Sequence, residues 1–190
     1  VVISGYVQGF GIEDIKVSLE TFIPSPAQTP GRLNMFNFEN FDLLLDYAHN
    51  PPGLRALQKM IERMDGHPKV GIIAGVGDRR VEDNNNIGKI AAEMFDEIIV
   101  RQDKNLRGKS EDELIAMLVD GIKSVDPNKK ITIIPSENEA IRFAVKNATK
   151  GSMIVLCSDV VPEALDLVME LKANEANKLY EFKKEDIPNL

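Results

Sequence analysis

Residues 43–54, LLLDYAHNPPGL, run from an apolar segment into a carboxylate, an imidazole and an amide, then into two prolines and a glycine. Asp46 at the end of such a run can accept hydrogen bonds from a ribose diol, and His49 can stack on or hydrogen-bond a base or phosphate. The plainer use of these residue types is structural. Asp46 and Asn50 suit the cap of a helix starting near Pro51 or Pro52, with His49 a turn residue. Three further clusters carry chemistry. GVGDRR, residues 75–80, sets Asp78 and Arg79 beside two glycines, against the plainer reading of a surface ion pair worth little. RQDKNLRGKS, residues 101–110, is a basic loop in which Arg101, Lys104, Arg107 and Lys109 bracket Asp103 and Asn105. Arginine forks bind carboxylates in bidentate fashion, and the alternative is a solvated loop. Arg32, in TPGRLN, follows a proline-rich stretch, where a cation at a hinge can reach a phosphate on a neighbouring domain; the alternative is an exposed arginine.

The elements that must position these clusters are legible in the pattern. Residues 1–22 read as two short helices, the second with Ile12, Ile15, Leu19 and Phe22 at helical spacing. Residues 23–31, IPSPAQTPG, hold three prolines and a glycine, and a domain boundary is placed there. Beyond it strand and helix alternate: strands over 33–38 and 41–47, a helix over 53–64, a strand over 69–76, a helix over 85–95 and a strand over 97–101. A helix over 110–125, a strand over 130–135, a helix over 136–148, a strand over 152–158 and a helix over 162–176 complete the series. Ser110 with Glu113, and Ser136 with Glu139, have capping-box spacing. The charged tail, 177–190, reads as loosely packed. Short apolar strands suit a sheet covered on both faces, and the alternation implies right-handed crossovers. The expected fold is therefore a Rossmann-like, doubly wound α/β domain with a mostly parallel sheet of about six strands. In such sheets ligands bind beyond the carboxyl ends of the strands, where the loops after residues 46, 74 and 101 fall.

Composition excludes several classes. The chain has 190 residues, 43% of them apolar, and a net charge of −7, which argues against a nucleic-acid binder. No apolar run approaches the roughly 20 residues that span a bilayer. The single cysteine, Cys157, sits in an apolar strand and permits no internal disulfide, which suits a reducing, cytoplasmic setting. The amino-terminal residues lack the features of a signal peptide, and they start in mid-pattern, as if cut from a longer chain. No metal-ligand cluster is read. GVGDRR fails the dinucleotide fingerprint because Arg80 stands where its last glycine belongs, which puts a dehydrogenase last. No G-x-x-x-x-G-K-[ST] occurs, so a self-sufficient nucleotide hydrolase is not expected.

PGR after a proline-rich linker, then DYAHNP, G-x-GDR and D-x-N-x-R, each after a strand, resemble the C-terminal domain of the Mur ligase superfamily of ATP-dependent amide-bond ligases. TPGRLN, LLDYAHNPPGL and RQDKNLRGKS are most similar to the cyanophycin synthetase branch. The resemblance implies that residues 1–30 are the last helices of a central ATPase domain with its linker, and that 31–190 are the substrate-binding lid. It implies ATP and Mg²⁺ as cofactors, held mainly by that preceding domain, so that the lid alone is inactive. Arg32 would approach the γ-phosphate, Asp46 would bind ribose or the nucleotide edge, and His49 and Asn50 would line the same surface. Asp78, Arg79, Asp103, Asn105 and Arg107 would hold the incoming amino acid, arginine or aspartate in the cyanophycin case. The murein tripeptide ligases carry D-N-P-R in the third loop; Asp103–Arg107 is one residue longer and lacks the proline. A murein-precursor or folylpolyglutamate ligase, and a non-catalytic amino-acid-binding module, are the alternatives. The partners are then the amino acid and the central domain of the same polypeptide, with a homo-oligomer of the full-length enzyme left open, and no nucleic acid or membrane.

Overall fold

The computed structural model describes residues 2–102, 106 and 108–185, the side chains of 177–185 excepted. Two short helices come first, α1 (Val2–Val7) and α2 (Ile12–Glu20). They pack on one another and make no extensive contact with any other element. Their apolar residues stay in solvent: Ile3 is 79% exposed, Tyr6 62% and Ile12 66%.

The rest is one six-stranded sheet with helices on both faces. β1 (Asn34–Asn37) and β2 (Phe41–Asp46) form an antiparallel hairpin at one edge. There follow α3 (Pro51–Ile61), β3 (Lys69–Ala74), α4 (Val81–Met94), β4 (Glu97–Arg101), α5 (Glu111–Val125), β5 (Lys130–Ile133), α6 (Glu137–Asn147), β6 (Ser152–Cys157) and α7 (Val161–Glu185). The strand order is β1-β2-β6-β3-β4-β5, and every pair after the first is parallel. α7 continues to Glu185, so part of the charged tail is helical.

Alternation along the strands divides the core. Leu44, Ile73, Ile98, Val100 and Val155 pack under α3, α4 and α5. Leu43, Leu45, Ile72, Ile99 and Leu156 face the other way, under α6 and α7. The chain steps outward from β3 to β4 to β5, then turns back to lay β6 between β2 and β3. Right-handed crossovers force the returning helix, α6, onto the opposite face. Chains leaving β2 and β6 therefore part company: one rises to α3, the other to α7. Such a switch point opens a crevice beyond the strand ends. Among the described residues no helix is long and apolar enough to cross a membrane.

Candidate functional site

The crevice is built from the ends of β2 and β6. Asp46 and Cys157 are register partners there, and the Ser158 N–H donates to the Asp46 carbonyl at 3.0 Å. Asp46 is 9% exposed, and each of its carboxylate oxygens accepts a backbone N–H. Oδ2 takes Leu33 at 3.0 Å and Oδ1 takes Ala48 at 2.8 Å. Asp46 therefore does not cap α3; that task falls to Asn50, whose Oδ1 accepts the Gly53 N–H at 2.8 Å ahead of Pro51 and Pro52. A carboxylate offers about four lone-pair sites, so Asp46 keeps acceptor capacity beyond these two bonds.

Next to it lies a chain of four side chains. The Arg32 guanidinium sits 4.9 Å from the centroid of the Tyr47 ring. The ring meets the imidazole of His49 edge-on at 4.7 Å. His49 Nδ1 lies 2.9 Å from the Tyr47 carbonyl, which can only accept, so Nδ1 carries the hydrogen. Nε2 is left to accept from Arg79 Nη2 at 3.4 Å. Arg32, Asp46, Tyr47, His49 and Asn50 line one cavity of about 510 Å³, floored by Leu57 and Met60 of α3. That volume lies in the range of small-molecule sites.

The loop after β3 is held from two sides. Asn84 of α4, fully buried, accepts the Val76 N–H at 2.9 Å and donates to the Val76 carbonyl at 3.1 Å. Lys109 Nζ donates to the carbonyls of Gly77 and Arg79 at 2.6 and 2.8 Å. Arg79 thus reaches His49 from a braced loop, while Asp78 is exposed on the same loop and is not among the residues lining the large cavity. Asp103, Asn105 and Arg107 lie outside the described residues.

Arg101, the first residue of the basic loop, turns inward. It ends β4 with a guanidinium 2% exposed, paired through Nε with Glu137 at 2.8 Å and through Nη2 with Asp159 at 2.8 Å. The Nε contact is an ion pair without hydrogen-bond alignment. Nη2 also donates to the Cys157 carbonyl at 3.1 Å, and Ser158 Oγ donates to Glu137 at 3.1 Å. This buried network joins the ends of β4 and β6 to the start of α6; it does not offer a free fork to a ligand. Burial, with the Asp46 charge beside it and Arg101 opposing, pushes the Cys157 thiol up to about 12. Among the described residues no group of three or more His, Cys, Asp or Glu side chains is placed to hold a metal ion.

Tyr47, Asn84 and Lys109 carry roles that their residue types did not announce. Tyr47 lay inside a cluster already marked, but nothing in a lone tyrosine distinguishes a cation platform from a core ring. Asn84 stands in a run of three asparagines whose burial only the fold decides.

An α/β sheet with a polar crevice at its switch point, rimmed by arginines, a carboxylate and an aromatic ring, defines a doubly wound α/β domain with its crevice where that class of fold places ligands. The comparisons narrow that class. The family model "Mur ligase, glutamate ligase domain" matches residues 31–160, and the chain belongs to the Mur ligase C-terminal domain family. It is 38% identical over 166 residues to a cyanophycin synthetase from Crocosphaera subtropica, covering 87% of this chain and 19% of that one. It is 32% identical over 117 residues to a UDP-N-acetylmuramoyl-L-alanyl-D-glutamate–2,6-diaminopimelate ligase from Caldanaerobacter subterraneus, covering 62% of this chain and 24% of that one. Among solved structures it shares the fold of a UDP-N-acetylmuramate–alanine ligase from Thermotoga maritima, with TM-score 0.63, 16% identity and coverage of 91% of this chain and 36% of that one. It also shares the fold of the Mycobacterium tuberculosis folylpolyglutamate synthase complexed with ADP and AMPPCP, with TM-score 0.62, 19% identity and coverage of 84% and 35%. The chain spans about a fifth of the length of the cyanophycin synthetases that it matches.

Proposed function

We propose that this chain is the C-terminal, substrate-binding lid of an ATP-dependent acid–amino-acid ligase of the cyanophycin synthetase kind. The observation that carries the reading is the convergence of Arg32, Asp46, Tyr47 and His49 on one cavity at the end of β2. A cation, a ring and a carboxylate with spare acceptor capacity suit a nucleotide presented by a facing domain. Residues 31–190 form the lid. Residues 1–30 complete the preceding ATPase domain, which the exposed apolar side chains of α1 and α2 would pack against.

In the reaction a substrate carboxylate oxygen attacks the γ-phosphorus of ATP, ADP leaves, and an acyl phosphate forms. The amine of an incoming amino acid then attacks the acyl carbon, gives up its proton, and inorganic phosphate departs as the amide bond closes. Little of this needs covalent help from protein; it needs positioning and charge neutralisation. Arg32 faces the γ-phosphate and spreads its developing charge. Asp46 accepts from the ribose, while His49 and the amide hydrogens of Asn50 line the same surface. Arg79 and Asp78, with Asp103, Asn105 and Arg107, hold the incoming arginine or aspartate. Mg²⁺ supplies further neutralisation and is held mainly by the preceding domain, as is the triphosphate. The chain carries no phosphate-cradling G-x-x-x-x-G-K-[ST], so by itself it turns over no ATP.

The test is phosphate release by the full-length parent with ATP, Mg²⁺, a cyanophycin primer and each common amino acid in turn. Release that requires the primer and arginine or aspartate, and that falls at least about 100-fold in Arg32→Ala and in Asp46→Ala, is the expected outcome. Turnover on a murein precursor or a folate instead would move the chain to another branch of the family. Turnover indifferent to both substitutions would remove the nucleotide-facing roles.

A further inference from the structure

The turn that carries Arg32 is tied to three separate elements of the sheet domain. Asn34, the first residue of β1, is fully buried and folds its side chain back into the turn. Its Oδ1 accepts the Gly31 N–H at 2.7 Å, and its Nδ2 donates to the carbonyls of Thr29 at 3.0 Å and Arg32 at 3.3 Å. Leu33 adopts a φ of 52°, a left-handed conformation that leucine seldom takes, and its N–H is held by Asp46 of β2. Gly31 is buried with a φ of 71°, and a Cβ placed there would come 2.5 Å from a methyl of Val161, the first residue of α7. Strain of this kind persists only where surrounding contacts over-determine it.

Upstream the picture reverses. The first backbone bonds along the linker run from the Gln28 and Thr29 N–H groups to the Ser25 carbonyl, at 3.1 and 2.8 Å. Phe22 and Ile23 are 50% and 74% exposed.

We infer that Asn34 and Asp46 are positioning residues that fix Arg32 as a rigid part of the sheet domain, and that the hinge lies before it, at Thr21–Pro24. Arg32, Asp46 and His49 then reach a facing domain as one preset surface; Arg32 does not search for its phosphate from a loose linker. The proposal rests on the reading that Arg32 faces the γ-phosphate, and its test keeps the two apart.

Hydrogen exchange on this 190-residue chain reads the latch directly. The Gly31 and Leu33 amide protons exchange at least about 100-fold more slowly than those of Phe22 and Ile23, although all four lie outside regular structure. Asn34→Asp keeps an acceptor for Gly31 but loses both donors, and it abolishes that protection while leaving β2 and β6 protected. In the full-length parent, Asn34→Asp lowers kcat by roughly 10- to 100-fold with little change in KM for ATP, as misplacement of a charge-bearing group does. The Arg32→Ala/Asn34→Asp double variant is no slower than Arg32→Ala, because both act through one guanidinium. Gly31→Ala gives a similar loss, and adding Val161→Ala, which removes the clashing methyls, restores part of it. Fast exchange at Gly31 and Leu33 in the wild type, or additive losses in the double variant, would overturn the inference. An Arg32→Ala parent with undiminished kcat would instead overturn the phosphate-facing role, even with protection intact.

Discussion

Arg101 shows how a charge can serve the fold rather than a ligand. Its two carboxylate partners come from different elements, and Glu137 is itself 8% exposed at the side chain. Deleting one member of a buried pair leaves the other charge uncompensated, at a cost of about 3–5 kcal/mol. Arg101→Ala is therefore expected to lower the urea-unfolding free energy by that amount, more than any change at exposed Arg80. Cys157 gives a second residue-level expectation, with its sign set by burial. Its thiol ionises near 9.0 in the unfolded chain and near 12 when folded, so its contribution is whole below the first value and is lost as pH rises toward the second. The stability gap between wild type and Cys157→Ala should narrow by about 2 kcal/mol between about pH 8 and pH 10.5, read from urea titrations. The large cavity was legible at this scale because Asp46, His49 and Asn50 are adjacent in sequence and follow an apolar strand. Asn34 was not, because asparagine after a glycine turn is commonplace and only the folded hairpin reveals it as buried and fully bonded. Arg101 was read with the basic loop, since nothing in EIIVR says that its last side chain turns inward.

Helix α4 and helix α5 meet where neither carries a side chain. A Cβ on Gly88 would sit 2.3 Å from the Leu118 carbonyl oxygen, and one on Gly121 2.2 Å from that of Asn85. Gly71 of β3 likewise leaves room for the ring of Phe95. Gly88→Ala must push the helices apart, and a loss of about 1–3 kcal/mol is expected in thermal or urea unfolding. Because α4 also supplies Asn84, the same substitution should disturb the Val76–Arg79 loop, visible as amide shifts at Val76. Element existence and type were readable from period and caps: Ser110 and Glu113 do form a reciprocal capping box, and the Ser136 hydroxyl accepts the Glu139 N–H. The start of α4 was read four residues late. Its cap position is Arg80, which makes no side-chain cap, and the first turn relies on Glu82 and Asp83 opposite the helix dipole.

At the scale of the molecule, the α1–α2 hairpin stands apart from the sheet. Removing residues 1–23 deletes no extensive packing against it, so the melting temperature should change by no more than about 2 °C. A fall well beyond that would mean that the hairpin braces the sheet. Alternation of strands and helices announced a parallel sheet, but strand order lay beyond its reach, since apolar runs of equal length do not say which lies in the middle. The answer has a temporal consequence. β6, the last strand in sequence among the described residues, fills the centre of the sheet, and β2 and β3 do not touch until it arrives. A ribosome that has delivered everything through residue 150 has therefore made two leucine- and isoleucine-rich strands with no shared neighbour between them. Until residues 152–157 emerge, those backbone edges stay open to pairing with any passing strand, the kind of exposure that invites misassembly.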